Sequence, residues 1–210
     1  AEKHFGAVAR NTKKRKDQKR EICAEWKVVE SLKEQNRAST AARSYSRIEG
    51  LYDALPKELK GDECALTAKA TINFEATEKS YQTYLALPLN GRTDTDIQKK
   101  IEAKKKLMGE LIEDFKKFES IGHAGFIVGA LYRIGTLYSD LNDRLLNEVT
   151  CPSKIGGQRT DDDICEQFMG ILEEMSYEYA DSARQGLELA LSRALKWGIY
   201  NEWMLEAQKA

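Results

Sequence analysis

The chain has 210 residues, enough for one domain or two intimate ones with a sizeable core. Charged residues make up 32% of it and nearly cancel, leaving a formal net charge of -1, which argues against a dedicated nucleic-acid binder with its large basic excess. Only three prolines and 14 glycines occur, and none of the prolines lies between Pro88 and Pro152, a pattern that suits long helices and disfavours a many-stranded sandwich.

Taken in order, Ala1 to Arg10 reads as the end of a helix, and no apolar signal-peptide core follows Ala1, as expected of a mature form or an excised domain. Lys13-Lys14-Arg15-Lys16, with Lys19-Arg20, forms a basic patch, read as a solvated helix connection in preference to a surface for phosphate or an acidic partner. Ile22, Trp26, Val29 and Leu32 mark one face of a helix over 16–35. Ala41, Tyr45, Ile48, Tyr52 and Leu55 do the same over 38–55, before Pro56 ends it. A third run, 63–87, carries Leu66, Ala70, Phe74, Tyr81 and Tyr84 and stops at Leu87-Pro88. After a turn at Asn90-Gly91, Thr95 and Gln98 fit a capping box opening a helix over 95–119, with Lys99, Lys100 and Lys104 to Lys106 on a solvated face.

The helix predicted over 122–147 organises the rest. Ile127, Leu131, Ile134, Tyr138, Leu141 and Leu145 recur at helical spacing, and Gly122, Gly125, Gly129 and Gly135 form a small-residue track beside them. Glycine weakens an isolated helix, so the track implies close approach of neighbouring backbones. Its uncharged part, Ala124 to Tyr132, is far short of the ~20 residues that span a bilayer. Val149 to Asp163 then reads as an ordered loop, with Asp161 to Asp163 capping the next helix. Helices over 162–175, 176–197 and 200–209 complete the chain, with Gly198 as a left-handed cap and Asn201 as the start of the last. Tyr45, Tyr52, Tyr81, Tyr84, Tyr132 and Tyr138 all fall on apolar faces and are expected in the core, hydroxyls reaching an edge.

Short connections make consecutive helices neighbours, so the expected fold is all-α, an α-solenoid or irregular bundle in a single domain over 1–210. The chemistry of an enzyme is not visible: there is no nucleophile elbow, Walker loop or dinucleotide glycine motif, and His4 and His123 lie far apart. Glu173-Glu174 with Glu178 reads as ordinary helix surface, and Asp140, Asn142 and Asp143 lack the pattern of a calcium loop. No catalytic residue, cofactor or metal is expected. The four cysteines contain no CxxC pair, and their even number suits disulfides and inert core thiols equally.

Helical pairs invite a repeat check. Leu131, Ile134, Gly135 and Tyr138 fit the first-helix pattern of a tetratricopeptide repeat with Leu in place of Trp, and Ala183, Leu187 and Ala190 fit the second-helix pattern. Between them lies an insertion over about 148–175, the proline-glycine loop and an extra helix; over 1–120 the helix pairs are degenerate. From Gly122 to Ala210, on Tyr132, Gly135, Tyr138, Pro152, Ala183, Ala190, Ala194, Asn201 and Trp203, the chain resembles tetratricopeptide-repeat proteins of the myxobacterial-type gliding-motility machinery of the cell envelope. That resemblance implies a periplasmic or outer-membrane-associated scaffold, non-catalytic, whose partners are other envelope proteins rather than nucleic acid or a membrane span. A helical sensor or carrier with a small ligand between helices is the alternative. The implied oxidising compartment makes a disulfide expected between Cys151 and Cys165, which flank the proline-glycine loop, against the alternative of two free thiols. Whether Cys23 and Cys64 approach each other stays open.

Overall fold

The computed structural model describes residues 2–14 and 17–210, the side chains of residues 2 and 12–14 excepted, so the side chains of the basic patch at 13–16 lie outside the described residues. The described residues are all-α apart from one two-residue hairpin. They form two compact units, 1–75 with 119–123 and 76–118 with 124–210.

The first unit begins with α1 (Glu2–Lys14) and α2 (Gln18–Glu34), the latter capped by Asp17, whose carboxylate accepts from the Arg20 N–H at 3.2 Å. Asn36 takes a positive φ of 57° in the turn that follows, a conformation asparagine tolerates well. The helix predicted over 38–55 is present in pieces: α3 (Ala38–Ala41), a 3-10 turn at Ala42–Ser44, and α4 (Tyr45–Asp53). After another 3-10 turn at Lys57–Leu59, Asp62 accepts from the Ala65 N–H at 3.4 Å at the start of α5 (Glu63–Ala86). Ile22, Trp26, Val29, Leu32, Ile48 and Tyr52 fill the core of this unit against Ala65, Ala68 and Ile72 of α5. Small residues on α5 let the flanking helices come close while the larger side chains supply the buried apolar area.

In the second unit, α6 (Asp94–Lys116) buries Ile97, Ile101, Met108, Leu111, Ile112 and Phe115, one stripe at helical spacing. Its cap is Thr93, accepting from the Asp96 N–H at 3.2 Å, two residues before the predicted Thr95 box. Of the short α7 (Phe118–Ile121) only Phe118 belongs to this unit, which resumes with α8 (Ala124–Asn147). A relay of rings joins these elements: Tyr81 to Phe115 (6.4 Å between centroids), Phe115 to Phe118 (6.5 Å), Phe118 to Phe126 (6.5 Å) and Phe126 to Trp203 (5.5 Å).

Past α8, the loop contains a hairpin unseen in the sequence reading, β1 (Lys154–Ile155) against β2 (Gln158–Arg159), with Lys154 opposite Arg159. Gly156 and Gly157, at φ 57° and 82°, make its two-residue turn, which demands positive φ at both positions. Its residues are exposed or half-buried, so this ladder lies outside the core.

The largest departure is α9 (Asp162–Trp197), one helix of 36 residues where a break at 175–176 was expected. No proline or cap stands there, and Ser176 turns its hydroxyl back to the Glu173 carbonyl at 2.7 Å, inside the helix. The inserted segment is therefore a hairpin loop plus the first half of α9, not a loop and a separate helix. The expected termini hold: Asp161 accepts from the Ile164 N–H at 2.9 Å, Gly198 closes the helix at φ 66°, and Asn201 caps α10 (Glu202–Lys209).

Candidate interaction surface

At the contact between α8 and α9 a predicted glycine permits close approach. A Cβ at Gly135 would lie 2.8 Å from the Leu187 Cγ and 3.1 Å from the Leu187 nitrogen. A Cβ at Gly186 would lie 2.9 Å from the Gly135 Cα, so two glycines face each other where the helices cross. Ala183, Leu187 and Ala190 are buried on the α9 side; Leu131, Ile134 and Tyr138 are half-buried on α8. Val128 and Leu137, absent from the predicted stripe, are fully buried instead. Gly129 meets the Trp203 ring, 2.7 Å from its built Cβ, whereas Gly122 sits before α8 at φ 84° and serves a turn.

Lys104 corrects the sequence reading most sharply. Placed on a solvated face with Lys99, Lys100, Lys105 and Lys106, it is in fact 0% exposed. Its Nζ donates to the Tyr84 carbonyl at 2.8 Å, pairs with Asp140 Oδ2 at 2.9 Å and lies 3.9 Å from the centre of the Tyr84 ring. Asp140 also accepts from Arg144 Nε at 2.9 Å, and Arg144 reaches Glu148 at 2.7 Å and the Leu85 and Leu87 carbonyls. Glu148 in turn accepts from the Leu89 N–H at 2.7 Å. Two cations thus satisfy carbonyls at the end of α5, where a helix presents unpaired acceptors and partial negative charge. Burial lowers the Lys104 pKa against the opposing pull of Asp140. Burial also raises Tyr84, whose hydroxyl donates to the Leu137 carbonyl at 2.8 Å. The carbonyls that Lys104 and Arg144 bind lie at the end of α5, so both cations have a structural task there.

In the first unit, Arg47 bridges the buried Glu21 (2.5 Å) and Glu25 (2.8 Å), and Tyr45 donates to Glu75 at 2.7 Å beside the Lys33–Glu75 pair. His123 contacts Thr67 at 3.3 Å, its pKa lowered chiefly by burial. The tyrosines divide: Tyr52, Tyr81 and Tyr84 are core, whereas Tyr45, Tyr132 and Tyr138 are half-buried. Among the described residues, no cluster of His, Cys, Asp or Glu is arranged to hold a metal, and no helix is long and apolar enough to cross a membrane.

The structure pairs Cys151 with Cys165 (Cα–Cα 5.6 Å) and Cys23 with Cys64 (5.7 Å), both within the span a disulfide requires. Two disulfides are compatible with an oxidising extracellular or periplasmic environment. The second pair joins α2 to the start of α5, an approach invisible in the sequence because 41 residues separate the thiols.

Bulky apolar side chains are exposed on several elements, Leu146, Tyr200 and Leu205 among them, and they recur on α9. Ile171 (58%), Tyr177 (64%), Leu189 (44%) and Leu195 (59%) are exposed. Ile171 and Leu189 are 18 residues apart, as are Tyr177 and Leu195, and at 3.6 residues per turn each pair stands on one line of the helix. Between α6 and the first half of α9 an open groove of about 400 Å³ has Ile97, Ile101, Phe168, Ile171, Leu172 and Met175 among its lining residues. Sequence periodicity missed this surface because it reports which residues are apolar, not which of them find a neighbour. No family model matches the chain, and neither the curated proteins nor the solved structures contain a match to it.

Proposed function

We propose that this protein is a non-catalytic scaffold that holds other proteins of a bacterial envelope assembly, on the outward side of α9. The observation that carries the reading is the exposed apolar residues on two lines of that helix, extended by Trp197 and Tyr200 beyond them. Isolated surface leucines need no explanation, but exposed bulky apolar side chains recurring from Ile171 to Trp197 on one helix favour protein contact. The glycine crossing of α8 with α9 supports treating them as a tetratricopeptide-like pair within a solenoid, and the resemblance of 122–210 supports the motility-related envelope setting. The two disulfides suit a periplasmic or outer-membrane-associated place. A sensor or carrier with a closed apolar cavity is the second reading; the groove between α6 and α9 is open along one side, which favours the first.

The experiment is co-purification from envelope extract with the intact chain as bait, beside a Leu189→Lys/Leu195→Lys variant. Specific protein partners held by the wild type and lost by the variant support the scaffold. Retention of every partner by the variant, or recovery of a bound small molecule alone, overturns it.

A further inference from the structure

We infer that the groove between α6 and the first half of α9 receives a basic amphipathic helix from a partner protein. The inference rests on the scaffold reading and assigns one of its contacts a chemistry. The floor is apolar, with Ile97 and Ile101 one turn apart on α6, and Phe168, Leu172 and Met175 on one face of α9. Ile171 stands at its outer lip, lining the groove yet largely exposed. α6 borders the groove from Asp94 to Lys105, about 16 Å of helix axis, the length of a three-turn helix laid alongside.

The rim decides the sign of the partner. On α6 it carries Asp94, Glu102 and Lys105, and the Lys105 ammonium is drawn over the Tyr179 ring at 5.7 Å from its centre. On α9, just outside the groove's own lining, Glu174 and Glu178 follow Ile171 by three and seven residues on the outer side of its lip, and both are exposed. From Asp161 to Ala183 the chain has eight acidic residues and no lysine or arginine. An apolar trough with a mixed margin on α6 and an acidic one on α9 is complementary to a helix with leucine-like anchors at i, i+3/i+4 and i+7 that carries lysine or arginine on the side toward α9. An acidic helix would set like charges against Glu102, Glu174 and Glu178.

The full chain is titrated, by fluorescence anisotropy, against a labelled synthetic helix of leucine and lysine with its leucines on one face. A peptide of the same composition with its leucines scattered, and a leucine–glutamate helix, serve as comparators. The one-faced leucine–lysine helix is expected to bind at least about tenfold more tightly than either. Ile171→Lys and the double change Glu174→Lys/Glu178→Lys, both on exposed positions, are each expected to weaken it by at least about tenfold, with circular dichroism unchanged. No binding, equal binding of the scattered peptide, or indifference to both variants overturns the inference. So does self-association of the chain that Ile171→Lys abolishes, because the groove's occupant would then be a second copy. Since the co-purification variant lies at Leu189 and Leu195, away from the groove, partners lost there while the peptide fails here would remove the groove alone.

Discussion

The buried Lys104 gives an asymmetric prediction. Replacing it with Met removes the ammonium: Asp140 Oδ1 retains Arg144 at 2.9 Å and the Tyr84 carbonyl retains the Leu87 N–H at 3.1 Å, while the buried Asp140 Oδ2 loses the ammonium it faced. Met also fills most of the volume and relieves the desolvation of a charge, so the loss is set at about 2 kcal/mol, near that of hydrogen bonds to a charged group. Asp140→Asn does the reverse. It leaves a fully buried ammonium facing only carbonyls and a ring, and deprives Arg144 of one of its two carboxylates, which places it at about 3–5 kcal/mol. Urea unfolding followed by circular dichroism, at constant slope, measures both. The double variant Lys104→Met/Asp140→Leu should cost less than the two single changes summed, because each single change leaves part of one network unpaired. The folded Lys104 pKa lies below its ordinary 10.5, so its contribution is complete above that value and is lost as pH falls through the folded pKa. The stability of wild type relative to Lys104→Met should accordingly grow as pH rises toward 10.5. Equal costs for Lys104→Met and Asp140→Asn, or a loss near zero for both, would refute the burial and pairing described.

Gly135→Ala, which helix propensity alone would favour by roughly 0.5–1 kcal/mol, should instead destabilise by about 1–2 kcal/mol, because the new methyl meets the Leu187 backbone as well as its side chain; Gly135→Leu should cost more. An unchanged melting temperature for Gly135→Leu would show the crossing to be looser than described. Cys151→Ser/Cys165→Ser opens a closure worth ~3 kcal/mol in the chain-entropy account, and its effect should concentrate in faster amide exchange over 162–175. Exchange there equal to wild type would mean the hairpin and the Asp161 cap suffice without the bond. Burial pushes Glu148 up, but the Leu89 N–H and Arg144 outweigh it and hold its pKa below the ordinary 4.5, so its contribution is present above 4.5 and lost as pH falls through the folded value. Glu148→Gln should flatten the acid limb of the stability curve; an unaltered limb would rule out that contribution.

What could be read from the sequence was what depends on local chemistry. Asp161, Gly198 and Asn201 hold the cap positions expected of them, since a cap is a bond between residues three or four apart. Gly135 was legible for a related reason: a glycine amid large residues on one helical face has little purpose other than close approach. The break expected at 175–176 failed because apolar periodicity says little about whether a helix continues, and only a breaker or cap would have ended it. The Gly156-Gly157 turn carried a hairpin signal, but strands of two residues are too short to show alternation.

Lys104 marks the boundary of that method. In a run of lysines along α6, Lys104 resembles Lys105 and Lys106, and its stripe position between Ile101 and Met108 was the available clue. Residues 101, 104 and 108 step by three and four, the same face that buries Leu111 and Phe115. A cation on a buried stripe demands a carboxylate and acceptors from outside its helix, here Asp140 of α8 and the carbonyl end of α5. Those partners are 36 and 20 residues away, so pairing them requires the fold itself. The acidic first half of α9 poses the converse case. Its composition was plain in the sequence, but that it stands beside an apolar trough against α6 could be read only from the fold.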